Sequence, residues 1–286
     1  MNAIMRYLAG MAVAAAALAG TARAQSASRE LSLSDIRAQW PQETIFASAL
    51  CRRALEDTGA GPGPYTHTQK GWITQQYKVD PKTFVPDLNT LMEKSDEVIL
   101  AGLDGNGAVL LSPSGKSVAT YNEVRVVRSW KGPHHAGDTL VFGVPAGSLP
   151  CEPTTPGIFT PRFDVEGPYL SKPNLFVLFL RQSKGEETKL VQGLFPAAGE
   201  GVQGIFQIPV PVPPDIKAED YCAGIGDVNV KNCDALMQTS QSPVMVFPYA
   251  DDPLVKKYNG LPASDFLQEV QSVAGAQGLA EEPSQK

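Results

Sequence analysis

Short apolar segments, each ended by a turn signal, recur through the middle of the chain and constrain its fold more than any other feature. The first, residues 98–103, stops at Asp104-Gly105-Asn106-Gly107, and residues 108–112 form its predicted hairpin partner. Further segments of this kind are 118–130, 139–144, 176–180, 189–192, 204–208 and 244–247. Repeated short strands separated by turns are typical of a β-barrel or a β-sandwich. We expect the sheet to close, because open strand edges invite aggregation.

The longest predicted strand, residues 118–130, alternates apolar and polar positions. Its apolar positions share one face: Val118, Val124, Val126 and Trp130. The other face carries Tyr121, Glu123, Arg125 and Lys131. Such alternation indicates a sheet that is buried on one side only, and hence an antiparallel sheet.

Helical patterns flank these strands. Before them, one helix is predicted around residues 45–50 and another over residues 87–94, with Leu88, Leu91 and Met92 buried. After them, a helix is predicted from an N-cap at Ser264 to a stop at Gly275. Its apolar stripe consists of Phe266, Leu267, Val270 and Val273.

The first residues predict export. Arg6 supplies a positive charge, residues 8–18 are apolar, and Ala22-Arg23-Ala24 fits a small-residue cleavage site before Gln25. The predicted parts are a signal peptide (1–24), a helical and loop extension (25–94), a β-barrel domain (95–250) with a disulfide-closed insert (215–240), a C-terminal helix region (251–275) and a disordered tail (276–286). We therefore expect a periplasmic or extracellular protein.

The charge balance disfavours two classes of partner. The whole chain carries a formal charge of −6. Without residues 1–24, which hold Arg6 and Arg23 and no acid, 22 basic residues face 30 acidic ones, which gives −8. Nucleic acids and anionic membranes select basic surfaces. We expect no nucleic-acid partner, and no membrane insertion because no second apolar stretch is long enough to span a bilayer.

The four cysteines are predicted to form disulfides, since an even number in an exported chain indicates a disulfide framework. Three connectivities exist. The favoured one pairs Cys222 with Cys233 across a short polar loop, which leaves Cys51 for Cys151. A metal site is the rival interpretation, but the spacings contain no C-x-x-C and no histidine lies near a cysteine in sequence.

His134-His135-x-x-Asp138 forms the only histidine cluster in the sequence. One interpretation is a metal site or a general base held by a carboxylate. The favoured one is a polar hairpin tip, because Gly132-Pro133 precedes the cluster and Gly137-Asp138 comes directly before a strand. Adjacent histidines in an extended chain point in opposite directions, so no metal site is predicted.

Recognisable catalytic and cofactor motifs are missing from the sequence. No G-x-S-x-G nucleophile elbow and no P-loop occur. Residues 199–204 match G-x-G-x-x-G, but they precede a predicted strand and not the helix that a dinucleotide site needs. No cofactor is predicted.

Residues 145–173 form the candidate binding surface. Seven prolines interrupt this segment, so neither a regular helix nor a central strand is expected there. Long loops in compact domains are usually functional or disordered. The binding residues are predicted to be Phe159, Arg162, Phe163 and Tyr169, because aromatic residues and arginine dominate binding hot spots. The alternative is that the phenylalanines cap one end of the core.

The order of segments resembles the netrin-like module of tissue inhibitors of metalloproteinases and related OB-type barrels. The matching features are the apolar segment opening at residues 95–102, a long strand ending Lys131-Gly132, the strand 138–144, Cys151 after the next segment, and the apolar strand 176–180. The resemblance spans residues 95–208 and implies an antiparallel OB-like barrel. Cys151 would then bond to Cys51, as the family cysteine in this position bonds to one at the mature N-terminus. The family's zinc-chelating N-terminal cysteine has no counterpart, since the predicted mature chain begins with Gln25.

These features together predict a mainly β fold: a partly open, five- to six-stranded antiparallel barrel with short N-terminal helices and a C-terminal helix. The predicted function is that of an exported, non-catalytic binding or protein-interaction module. Its partner would be another exported protein or a small ligand at the barrel mouth. The alternatives are a secreted hydrolase with an unrecognised site and an envelope structural or assembly protein.

Overall fold

The computed structural model describes these residues of the chain: 33–34, 51, 65–69, 72–75, 84–104, 107–111, 118–144, 146–151, 162–165, 170–171, 174–182, 200–210, 230–247 and 252–279. All of them belong to one compact unit, Leu31–Lys286. The predicted signal peptide, the helix around residues 45–50 and the strand 189–192 lie outside the described residues.

Eleven strands and four helices are named here. The strands are β1 (Tyr65–Gln69), β2 (Trp72–Gln75), β3 (Glu97–Leu103), β4 (Ala108–Leu111), β5 (Val118–Lys131), β6 (Thr139–Val144), β7 (Gly147–Pro150), β8 (Arg162–Val165), β9 (Leu175–Gln182), β10 (Glu200–Ile208) and β11 (Met245–Phe247). The helices are α1 (Leu88–Lys94), α2 (Val230–Thr239), α3 (Pro253–Tyr258) and α4 (Ala263–Ala276).

The larger of two sheets has the strand order β11-β10-β6-β5-β3-β9, with β4 paired to β5. β10 also pairs antiparallel with β9. Its contact with β6 is parallel and covers two residue pairs only, Glu200 with Phe142 and Gly201 with Gly143. The prediction of a mainly antiparallel β fold with a few helices is confirmed, but the sheet is not closed along β6.

Two apolar clusters lie on opposite faces of the larger sheet. The helix-side cluster joins the sheet to all four helices and includes Val98, Leu100, Val177, Phe179, Phe206, Met92, Met237, Tyr258 and Phe266. The sheet-side cluster lies on the other face and includes Ile99, Ala101, Val126, Phe142, Phe176, Leu178 and Ile205. β3 and β9 are buried on both faces, which explains why their sequences are continuously apolar and do not alternate.

The prediction that the sheet is buried on one side only is therefore wrong, and β5 shows part of the reason. Its register against β3 shifts twice. The first shift lies between Val98, which pairs with Lys131, and Ile99, which pairs with Ser129. The second lies between Leu100, which pairs with Arg128, and Ala101, which pairs with Val126. An extra residue in a strand reverses the side-chain alternation. Consequently Val124 and Val126 join the sheet-side cluster, whereas Val127 and Trp130 join the helix-side cluster. Tyr121, predicted on the polar face, is 2% exposed.

The helix α1 forms as predicted. Its N-cap is Asp87, whose carboxylate accepts a hydrogen bond from the Thr90 amide at 2.7 Å. This backbone hydrogen bond lowers the pKa of Asp87 below its ordinary value. The predicted residues Leu88, Leu91 and Met92 are buried, so the apolar spacing identified the buried face of the helix.

The ends of α4 differ from the prediction. The helix begins at Ala263 after Pro262, which provides no side-chain cap, and Ser264 lies inside it. It continues through Gly275 and ends where Gly278 adopts φ +70°. The amides of Gly278 and Leu279 bond to the carbonyls of Gly275 and Ala274, the pattern of a Schellman motif. Gly278, and not Gly275, therefore ends the helix.

The smaller sheet has the order β1-β2-β8-β7. Its strands lie in the extension 25–94, for which helices and loops are predicted, and in residues 145–173, for which no central strand is predicted. β1 and β2 form an antiparallel hairpin inside the predicted helical and loop extension 25–94. β8 pairs parallel with β2 and antiparallel with β7. β8 is thus an internal strand within residues 145–173, where a central strand was not expected.

The insert 215–240 also differs from the predicted polar loop, since α2 occupies residues 230–239. Within it, Cys233 and Met237 are buried in the helix-side cluster. At the end of the larger sheet, the Val246 amide of β11 donates to Asn259 Oδ1 at 3.3 Å, so a neighbouring loop covers part of that strand. Within the described part of the chain, no helix is both long and apolar enough to cross a membrane.

Candidate functional site

Two of the four predicted binding residues lie in the smaller sheet. Arg162 and Phe163 belong to β8, where their backbones pair with Trp72 and Ile73 of β2. On the other side, β8 pairs with β7. Phe159 and Tyr169 lie outside the described residues. The structure therefore places two of the four residues in one strand, and a role in binding stays a prediction for all four.

A disulfide fixes the end of β7. Cys51 and Cys151 are bonded, with their Cα atoms 5.0 Å apart, and both residues are 1% exposed. Cys151 directly follows the last residue of β7, so the bond ties the smaller sheet to a point 100 residues earlier in the chain. The predicted pairing of Cys51 with Cys151 is confirmed. Cys222 lies outside the described residues, and its pairing with Cys233 stays a prediction.

The start of β7 is fixed by close packing against β4 and β5. The Thr120 hydroxyl donates to the Ala146 carbonyl at 2.7 Å. Gly147 has φ +143°, and a Cβ added there would lie 2.8 Å from both Thr120 Oγ1 and Val109 Cγ1. Only glycine fits this conformation and this gap without strain. The segment that carries the predicted binding residues thus leaves the larger sheet at a defined point.

The histidine cluster contains a contact that the sequence did not predict. His134 Nδ1 lies 2.8 Å and 2.9 Å from the two carboxylate oxygens of Glu97, the first residue of β3. The Glu97 side chain is 0% exposed and the His134 side chain 13%. His134 is therefore a partly buried residue, and the carboxylate of Glu97 holds it.

The rest of the cluster forms the predicted hairpin turn. The Asp138 carboxylate accepts a hydrogen bond from the His135 amide at 2.8 Å. His135 and Asp138 are exposed, and the Gly137 amide bonds to the Val126 carbonyl at 2.9 Å. Within the described ranges, no group of three or more histidine, cysteine, aspartate or glutamate residues could hold a metal ion.

Two polar links attach the helices to β5. The Arg128 guanidinium forms an ion pair with Asp234 of α2, and Trp130 Nε1 donates to Gln271 of α4 at 2.8 Å. Because these side chains join elements that pack together through apolar contacts, their role is structural. They fix where α2 and α4 lie on the helix side of the sheet.

A third polar group joins α3 to α4. The Tyr258 hydroxyl and the Lys257 ammonium both donate to Glu269 Oε1, at 2.7 Å and 2.6 Å. The hydrogen bond from Lys257 to Glu269 raises the lysine pKa, and burial raises the pKa of Tyr258. Burial alone would raise the pKa of Glu269, but the bonds from Lys257 and Tyr258 lower it overall. The group stabilises the packing of two helices.

The sheet-side cluster bears on where a ligand could bind. Its members are buried apolar side chains from β3, β5, β6, β9 and β10, among them Phe142, Phe176 and Leu178, each 0% exposed. Large side chains therefore fill this face of the sheet. Such packing favours recognition by an outer surface over a ligand held within the sheet.

Comparison with known proteins identifies no relative of this chain. No family model matches the chain, and neither a curated protein nor a solved structure matches it. The interpretation of the site therefore depends on the geometry described above.

Proposed function

We propose that this protein is an exported, non-catalytic interaction module, in which an OB-like, netrin-like barrel carries a binding surface formed by residues 145–173. The observation that carries the proposal is the anchoring of this segment. It is fixed at Ala146 and Gly147 against β4 and β5, and again at Cys151 by the disulfide to Cys51. A surface whose first residues are held in this way loses less conformational entropy on binding than a segment without such anchors.

The strand pairings support the barrel. β6, β5, β3 and β9 are neighbours in that order, and both ends of this run reach β10. The join between β6 and β10 covers two residue pairs. Five strands with one short join are what a partly open barrel of the OB type would have.

The order of features along the chain supports the netrin-like resemblance. The apolar strand β3, the long strand β5 ending at Lys131, the strand β6, Cys151 and the apolar strand β9 follow each other as the resemblance implies. The disulfide from Cys151 to Cys51 agrees with the pairing carried over from that family. The resemblance supports a scaffold only, because the inhibitory cysteine has no counterpart.

The proposed partner is another exported protein. The packing of the sheet-side cluster favours an outer surface, and Arg162 and Phe163 are residue types that dominate protein-binding hot spots. The calculated charge of −8 for the predicted mature chain makes nucleic acid an unsuitable partner.

The test compares two variants of the exported, oxidised protein. Phe159→Ala combined with Phe163→Ala removes two rings of the proposed surface, whereas Leu236→Ala removes an apolar side chain that is 40% exposed on α2. We expect both proteins to keep the wild-type melting temperature within a few degrees. Only the double variant should lose a partner that the wild type captures from exported fractions and rebinds in purified form.

Loss of several kcal/mol of stability in the double variant would assign the rings to the core, as expected for truncation of buried phenylalanines. Equal loss of binding in Leu236→Ala would move the binding surface to the helix side. Either result would contradict the proposal.

A further inference from the structure

A buried carboxylate joins the turn after β5 to the beginning of β3. Glu97 is 0% exposed and both its oxygens are within 2.9 Å of His134 Nδ1. Gly132, which begins the turn with φ +110°, lies so close that an added Cβ would be 2.8 Å from Glu97 Cγ. The backbone of the turn is therefore fitted to the glutamate side chain, and the histidine closes the contact.

We propose that Glu97 and His134 form a proton-dependent latch, which holds residues 132–138 against β3 when His134 is protonated and loosens when it is neutral. The latch is independent of the proposed binding surface on residues 145–173. It would make the shape of one end of the larger sheet depend on the pH around the protein.

The physical basis is the burial of the Glu97 charge. A carboxylate that has no exposed surface is stable only when it is compensated by charge and hydrogen bonds. A protonated imidazole supplies both, since its Nδ1–H donates and its positive charge lies within 2.9 Å of both oxygens. A neutral imidazole supplies only the hydrogen bond. Losing the proton therefore weakens the attachment of the turn.

The sign of the effect follows from this pairing. A carboxylate partner favours the charged form of histidine, so we expect the pKa of His134 to lie above the ordinary histidine value of about 6.5. The latch is then fully formed below that value and is lost as the pH rises through the pKa of His134 in the folded chain.

The elements next to the pair carry these other charged groups: Glu93 and Lys94 of α1, Asp96 before β3, Lys131 of β5, His135 and Asp138 of the turn, and Arg181 of β9. Lys131 Nζ lies 2.9 Å from the Met92 carbonyl at the end of α1. The Asp138 carboxylate accepts from the His135 amide. Arg181 is exposed. His134 is thus the group that bonds the Glu97 carboxylate in the described contacts.

Two backbone hydrogen bonds report on the turn. The Gly137 amide donates to the Val126 carbonyl at 2.9 Å, and the Val126 amide donates to the Asp138 carbonyl at 2.8 Å. Both bonds attach the returning side of the turn to β5. Hydrogen exchange at these amides therefore measures how often the turn opens.

The experiment follows the exchange of these two amides and the ring signals of His134 by NMR on the full chain between pH 5.5 and 9. After correction for the intrinsic exchange rate, the protection of the two amides in the wild type should fall as the pH rises through the pKa of His134. The total fall should be about tenfold for each unit by which that pKa exceeds the ordinary histidine value. His135→Gln, a change in the same turn, should keep this dependence. His134→Gln, which keeps a donor but does not titrate, should abolish it.

Glu97→Gln provides a second route if His134→Gln does not fold. The amide keeps the shape of the side chain and removes its charge, so His134 should then lose its proton at a lower pH than in the wild type. Protection that is independent of pH in the wild type, or an unchanged pH dependence in either variant, would overturn the proposal.

Discussion

The larger sheet is covered by apolar side chains on both faces of β3 and β9, whereas the described contacts of the smaller sheet include three discrete links to its surroundings. These three are the Cys51–Cys151 disulfide, the Thr120–Ala146 hydrogen bond and the close approach at Gly147. The difference shows two ways of stabilising β structure in one chain. Apolar burial spreads the stabilisation over many residues, while covalent and steric links concentrate it in a few.

The comparison predicts the largest effect for a core ring of the helix-side cluster. Phe206 stacks on Phe266 with ring centroids 4.6 Å apart and meets Phe179 and Tyr258 edge to face. Phe206→Ala should lower the free energy of unfolding by about 3–5 kcal/mol, measured by urea denaturation. Protection of amides throughout β3, β9 and β10 should fall together. A loss confined to β10 would show that the larger sheet is not one cooperative unit.

Removal of the disulfide should have the next largest effect. Replacing Cys51 and Cys151 by serine should lower the free energy of unfolding by about 2–5 kcal/mol. Amides of β7 and β8 should lose more protection from hydrogen exchange than those of β3 and β9, because the link acts on the smaller sheet. Equal losses in both sheets would remove the distinction drawn between them. The oxidised wild type measured under the same conditions is the reference.

A methyl group at position 147 tests the steric link. Gly147→Ala places a Cβ 2.8 Å from Thr120 Oγ1 and Val109 Cγ1 at φ +143°, so we expect a loss of about 1–3 kcal/mol. Gly260→Ala is the matched control, since Gly260 has φ +87° and nothing within 4 Å of the added atom. Thermal denaturation of both proteins should show the larger loss at position 147. Similar losses would mean that glycine is required at position 147 because of the backbone angle, and not because of the close contact.

The smallest effect is expected for the polar group between α3 and α4. The pKa of Glu269 is lowered from its ordinary value of 4.5, so the ionised carboxylate stabilises the fold at any pH above 4.5. This contribution is lost as the pH falls through the pKa of Glu269 in the folded chain. Its side chain is 34% exposed, so Glu269→Gln should cost less than about 1 kcal/mol at pH 7. Urea denaturation at several pH values should show the difference from wild type shrinking below pH 4. A difference that grows in acid would contradict the assigned sign.

The parts of the fold that the sequence predicted are those whose signals are local. The spacing of Leu88, Leu91 and Met92 identified α1, and the apolar segments identified β3 and β9. The smaller sheet escaped prediction because its strands are mostly four residues long and β8 pairs with β2 across about ninety residues of sequence. Short strands with distant partners leave no periodic signal.

The site was less predictable for the same reason. The histidine cluster pointed to a turn, and the turn is present, but the carboxylate that binds His134 belongs to Glu97, 37 residues earlier. A charged residue at the head of an apolar strand was the one available signal. The faces of β5 were misassigned because two register shifts against β3 reverse the alternation, and such bulges depend on the partner strand.

The disulfide affects the order in which parts of the chain become structured when the N-terminal part emerges first. The bond encloses residues 51–151, a covalent ring that contains β1–β7 and α1, while β8–β11 and the other three helices follow it. Neither sheet is complete within the ring, since β8 inserts between β2 and β7, and β9 and β10 complete the neighbourhood of β3 and β6. If the two thiols are oxidised before the later strands fold, the ring already holds strands with which those strands pair. The loops that must still be closed are then shorter.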